Sequence, residues 1–291
     1  MKEMSIDIDR SKILVITGPT ASGKSSLAIE LARKYDGEII SADSRQMYRG
    51  MDIGTGKVTV EEQSLAKHHL IDICEPNEDY NVTDFKRDAE ASIRDIRSRG
   101  KLPIICGGTS FWIQAIVDDQ AFPAVPPNPK LREELSHISC EELFARLKTL
   151  DPKRAETIDS KNSFRLIRAL EIIEALGKVP VARKNTQSEK YQIIAINPPK
   201  EILDAKIQKR LDERFNQGMI EEIQNLHDEG VSWERLEAFG LEYRWIDFFL
   251  QGKATESEMQ EKLYFDIVHY AKRQRTWLRR WEKQSADIQW V

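Results

Sequence analysis

The chain has 291 residues, of which 40% are hydrophobic and 32% charged, with a formal net charge of −4. That supplies a large packed core, and no apolar run approaches the roughly 18 residues needed to span a bilayer. The acidic balance excludes a general basic coat for nucleic acid, so any RNA contact has to come from a local face.

Residues 12–18 (KILVITG) are a short apolar run ending in glycine, the pattern of a buried parallel strand. A helix is expected over 25–35 and a second strand over 38–41 (EIIS). Residues 85–99 read as a helix with Ala89, Ile93 and Ile96 on one face, and Gly100 stops it. A third strand is expected over 101–107 (KLPIICG), in which Cys106 reads as a small core residue. This alternation implies a parallel sheet covered by helices. Residues 122–129 (FPAVPPNP) carry four prolines in eight positions and mark a boundary. Only helical patterns follow, over 131–137, 141–150 and from Asn162, a good N-cap, to Gly177, a good stop. A strand pattern returns at 191–197 (YQIIAIN), and helices dominate 200–283. The expected organisation is an α/β core formed by 1–121 and 191–291, interrupted by a helical insertion at 122–190. Without an extended heptad pattern, the expectation is a monomer with no obligate protein partner.

Cys74, Cys106 and Cys140 are sparse and form no CxxC pair, which fits a reducing compartment better than zinc or disulfide chemistry. Residues 1–10 are polar and mixed in charge, unlike a secretory leader. A soluble cytoplasmic protein is therefore expected.

Gly18-Pro19-Thr20-Ala21-Ser22-Gly23-Lys24-Ser25 fits G-x-x-x-x-G-K-[ST] between a strand and a helix. In such a phosphate-binding loop the glycines let backbone N–H groups point inward at an anion, and the following helix adds its positive dipole end. Lys24 is placed as a point charge on phosphate oxygens and the Ser25 hydroxyl to hold Mg²⁺. The loop alone does not name a reaction, since kinases, ATPases and GTPases all use one. A hydrolase normally carries an acidic metal ligand at the end of a core strand. Here the third strand ends in Gly107-Gly108-Thr109 instead. Asp43 follows the second strand in SADSRQ. It is either a general base facing the phosphate loop across the sheet's carboxyl edge or a turn aspartate capping the next segment, and spacing alone leaves both readings open.

Five motifs occur in order: GPTASGKS (18–25), ADSRQMY (42–48), DIGTGK (52–57), HHLIDI (68–73) and AKRQRTWLRR (271–280). Together they resemble the tRNA dimethylallyltransferases, also called tRNA isopentenyltransferases, over nearly the whole chain. The resemblance implies a phosphate-loop core with a helical insertion. It implies transfer of a dimethylallyl group from dimethylallyl diphosphate to N6 of adenosine 37, beside the anticodon in tRNA, with Mg²⁺. The catalytic set it implies is Asp43 as base, with Lys24, Thr109 and Arg210 around the diphosphate; Arg210-Leu-Asp212 stands eight residues before Gly218, as in the family. The tRNA contacts it implies are Asp43, Ser44, Arg45, Gln46 and Thr109; Arg132, Asn162, Arg165 and Arg168; Gly240, Tyr243 and Arg244; and Lys272, Arg273, Gln274, Arg275 and Arg279. Residues 271–283 hold six basic residues and one acidic one, too one-sided for an ordinary solvated face. Trp277 and Trp281 in that stretch read as core residues rather than base-stacking platforms, and His68-His69 as a structural element rather than a metal site. Ser110 and Trp112 stand where the family has glycine and tyrosine, and are expected to reshape the prenyl pocket. The rival readings are an adenylate isopentenyltransferase acting on free AMP, ADP or ATP, a small-molecule kinase, and an RNA-binding protein without catalysis.

Overall fold

The computed structural model describes residues 7–180, 188–284 and 286–291. In chain order, β1 (Ile13–Thr17), α1 (Lys24–Tyr35), β2 (Gly37–Ser41), α2 (Val60–Leu65), β3 (His68–His69), α3 (Val82–Ser98), β4 (Leu102–Gly107) and α4 (Ser110–Val117) come first. Four helices follow: α5 (Pro129–Ser136), α6 (Cys140–Leu150), α7 (Pro152–Ala155) and α8 (Ser163–Leu176). The chain then runs through β5 (Tyr191–Ala195), α9 (Lys200–Asn216), α10 (Met219–Asp228), α11 (Trp233–Phe239), α12 (Leu241–Leu250), α13 (Glu256–Glu282) and β6 (Ile288–Trp290).

The six strands form one sheet in the order β3-β2-β4-β1-β5-β6, and every pairing is parallel. The expected α/β class is therefore correct. The four strands legible in the sequence are its centre, because a strand covered on both faces is apolar along most of its length. Alternation divides β1 between two cores: Leu14 and Ile16 face α1, while Ile13 and Val15 belong to the larger core built on α3, α4 and α9 to α13. The edge strands β3 and β6 went unrecognised, being two and three residues long, the first with no apolar residue and the second only partly apolar. Helix α3 begins three residues before the expected position because Asn81 and Asp84 form a capping box.

The chain divides into two compact units, Met1–Asp119 with Thr186–Val291, and Gln120–Asn185. The described residues of the second unit contain helices and no strand. Residues 181–187, within the insertion expected at 122–190, lie outside the described residues. Among those described, no helix is long and apolar enough to cross a membrane.

The histidines of β3 have protein partners: His68 Nδ1 lies 2.7 Å from the Ala66 carbonyl and His69 Nε2 lies 2.7 Å from Glu38 Oε2. Glu38 is buried on β2 and also accepts from Arg99. The Arg99 guanidinium, against the opposing effect of burial, holds the Glu38 carboxyl at about 2.

Candidate active site

Parallel strands deliver their carboxyl-terminal loops to one edge of the sheet. There the loop after β1 lies beside the loop after β4, and the latter beside the loop after β2. Gly107 makes the last two meet: a Cβ there would stand 2.1 Å from the Ala42 carbonyl oxygen. The Thr109 N–H donates to that same oxygen at 3.2 Å, and Thr109 Oγ1 accepts from the Ser44 N–H at 3.1 Å. Thr109 thereby orders the loop that carries Asp43, whose Oδ1 accepts from the Arg45 N–H at 3.0 Å.

The loop after β1 turns sharply through Gly18, where a Cβ would meet the Ile196 carbonyl at 2.7 Å. Lys24 opens α1, and its ammonium approaches the Pro19 carbonyl at 3.4 Å. Burial holds that ammonium below the usual lysine range, partly offset by Cys106 and Asp43. The Ser22 hydroxyl is buried with no protein partner, an orphan donor inside an anion loop. Burial pushes the Cys106 thiol up to about 12, so it is an inert core group.

Arg210, on α9, reaches across to donate to Thr20 Oγ1. Burial, then neighbouring Arg214, lowers its guanidinium to about 10, still charged at neutral pH. Thr20, Asp43 and Arg210 line one cleft with Ser44, Arg45, Gly240, Arg244, Tyr270 and Arg273. Asp43 thus faces the phosphate loop across the carboxyl edge of the sheet.

Several residues expected at an RNA surface also brace the fold. Gln274 is only 5% exposed; its Oε1 accepts from the Thr20 N–H and its Nε2 donates to the Gly108 carbonyl, each at 2.8 Å. It joins the loops after β1 and β4 as a structural tie. Tyr243 is 2% exposed and donates to Glu222 Oε1 at 3.0 Å, which places it as a packed residue of the cleft wall. The Gln46 amide is engaged by Ser41 and the Gly56 carbonyl. Arg275 donates to the Pro198 carbonyl, which turns it away from the exposed stripe of Lys272, Arg273 and Arg279. Arg45 is tied to the Phe239 carbonyl at 2.9 Å, its guanidinium 5.4 Å from that ring.

In the second unit, Asn162 caps α8 by accepting from the Arg165 N–H. Glu171, 2% exposed, is clamped by Arg132 (2.7 and 3.0 Å), Arg168 (2.6 Å) and the Asn128 N–H (2.7 Å). Burial alone would raise its carboxyl, but these donors overcome that and hold it at about 2. Arg168 also donates to the Val125 carbonyl. Arg132 and Arg168 therefore hold this unit together, while Arg165, in the first turn of α8, is exposed. Trp112 stacks on Phe85 with centroids 4.6 Å apart, and neither it nor Ser110 lines the cleft.

Three residues at the cleft had gone unrecognised. Arg214, one turn beyond Arg210, is buried and paired with Glu242 at 3.1 Å. Glu222 accepts from the N–H groups of Asp52 (2.9 Å), Ile53 (2.6 Å) and Gly54 (3.0 Å), which pins the loop whose Gly54 and Thr55 line the cleft. Tyr270 lines the wall beside Arg273. The i, i+4 spacing of Arg210 and Arg214 was a usable signal for the first; the other two had none.

The IPP transferase family matches residues 46–281. The tRNA dimethylallyltransferase 2 of Treponema denticola is 43% identical over 97% of this chain and 96% of its own length. The tRNA dimethylallyltransferase 1 of Geotalea uraniireducens is 43% identical over 96% and 92%. The crystal structure of the full-length tRNA isopentenylpyrophosphate transferase of Bacillus halodurans superposes with a TM-score of 0.71 at 35% identity, covering 97% of this chain and 89% of that one. With a phosphate loop and a carboxylate meeting in one cleft and this degree of likeness along nearly its whole length, the chain belongs to the IPP transferase family, among the tRNA dimethylallyltransferases.

Proposed function

We propose that the chain transfers a dimethylallyl group from dimethylallyl diphosphate to N6 of adenosine 37 in tRNA and releases diphosphate. The observation that carries this reading is the cleft that Thr20 and Arg210 line together with Asp43. N6 attacks the allylic carbon, the C–N bond forms, and the C–O bond breaks with its electron pair leaving on diphosphate. An exocyclic amine is a poor nucleophile until its proton is removed, and Asp43 accepts that proton. The inward N–H groups of residues 18–25, Lys24 and Arg210 offset the charge that grows on the departing diphosphate. Thr109 keeps the Asp43 loop in place through Ser44.

The residues at the loop suit Mg²⁺ held chiefly by the substrate. Among those described, no group of three His, Cys, Asp or Glu side chains could hold a metal by itself, and Mg²⁺ prefers phosphate oxygens and water with few protein ligands. Ser25, in the first turn of α1, would be that ligand, and the ion would neutralise diphosphate charge. Exposed Lys272, Arg273, Arg279 and Arg165 supply cations for tRNA phosphates.

The test is incubation with labelled dimethylallyl diphosphate, Mg²⁺ and unmodified tRNA, followed by nucleoside analysis. Label in N6-dimethylallyladenosine is the expected result. Label on free AMP with none on tRNA, or consumption of ATP without prenyl transfer, would overturn the proposal.

A further inference from the structure

Arg273 is exposed at the rim of the cleft, its guanidinium 5.7 Å from the Tyr270 ring. On α13, Arg273, Trp277 and Arg280 lie at i, i+4 and i+7 and share a face leading away from the cleft. The two tryptophans expected in the core differ. Trp281 is buried and donates to Asp118 at 3.2 Å, whereas Trp277 is only partly buried. Phe111, the second residue of α4, meets Trp277 edge-on with centroids 6.1 Å apart and is 40% exposed. Two positions before it, Thr109 holds the loop of Asp43. An aromatic corner therefore stands beside the rim that carries the carboxylate.

The charge around this corner selects its occupant. Lys272, Arg273, Arg279, Arg280 and Lys283 are exposed, and the one carboxylate among residues 272–283, Glu282, accepts from Trp290 Nε1 at 2.6 Å. Aromatic faces interleaved with cations are what an unpaired polynucleotide strand requires, because every base offers a π-face and every link a phosphate. An enzyme that draws one base out of a loop also unstacks that base's neighbours, and a protein ring can replace the lost stack.

We propose that Phe111 and Trp277 form a stacking platform for an unpaired base flanking the modified adenosine, with Arg273 and Arg280 on the adjoining phosphates. This rests on the reading of the cleft as an RNA-prenylation site. A synthetic anticodon stem-loop RNA tests it by fluorescence anisotropy against the wild type, Phe111→Ala and Phe111→Tyr, with dimethylallyl diphosphate binding measured on each. Phe111→Ala is expected to weaken RNA binding roughly 5- to 100-fold, Phe111→Tyr to restore it, and diphosphate binding to stay at the wild-type value in both. Wild-type RNA affinity in Phe111→Ala would overturn the platform. So would a loss that tyrosine does not restore or that extends to diphosphate binding, either of which marks a packing defect. A wild-type protein that passes these tests but transfers no dimethylallyl group would refute the proposed function and leave the platform standing.

Discussion

Glu222→Gln removes the carboxylate that pins the loop whose Gly54 and Thr55 line the cleft. Its Oε2 accepts from Asp52 and Ile53, and its Oε1 from Gly54 and the Tyr243 hydroxyl. Glutamine offers a single carbonyl oxygen, so two of the four donors lose their acceptor and face an NH₂ group. Hydrogen bonds to a charged group contribute about 1.5–3 kcal/mol each, and partial exposure takes the loss toward the lower end, about 2–4 kcal/mol in all. The loop at 52–57 also supports Arg214 through the Gly54 carbonyl at 3.4 Å, so turnover should fall along with stability. Urea unfolding at pH 7 reads the first effect and steady-state prenyl transfer the second. Glu221→Gln, at the exposed neighbouring position, is the control and should stay within about 0.5 kcal/mol of wild type. Wild-type stability and turnover in Glu222→Gln would refute this pinning role.

Asp43→Ala should abolish transfer while leaving tRNA affinity, measured by filter binding, close to wild type; normal turnover would remove the general-base assignment. Arg210→Ala should lower the single-turnover rate about 10²- to 10³-fold, and an unaltered rate would place diphosphate stabilisation elsewhere. The Glu38 carboxyl is held at about 2 against an ordinary 4.5, so its contribution, about 3 kcal/mol, is fully present above pH 4.5 and is lost as pH falls through 2. Urea midpoints should drop across that window, and Glu38→Gln should flatten the drop; an equally steep decline in the variant would contradict the assignment.

The centre of the sheet and the glycine-lysine loop before α1 were legible in the chain itself because each is a local property, whereas spacing alone left Asp43 open between a base and a turn residue. Continuous apolar runs mark strands covered on both faces, and glycine spacing marks a turn that must admit an anion. The short edge strands carried too few residues for any period to register. Arg210 was found through likeness to a family, and its i, i+4 neighbour Arg214 was passed over because helical spacing alone does not say which face of α9 is buried. Gln274, Arg275, Arg132 and Arg168 had the residue types of RNA ligands, yet each is engaged within the protein.

Side-chain type thus determined which groups could meet an anion, and only the tertiary structure decided which were left free to do so. Gln274 illustrates the reason: its partner Thr20 is 254 positions away in the chain. A buried amide or guanidinium takes whatever partner the fold brings within 3 Å, because leaving it unpaired costs more than any preference encoded nearby.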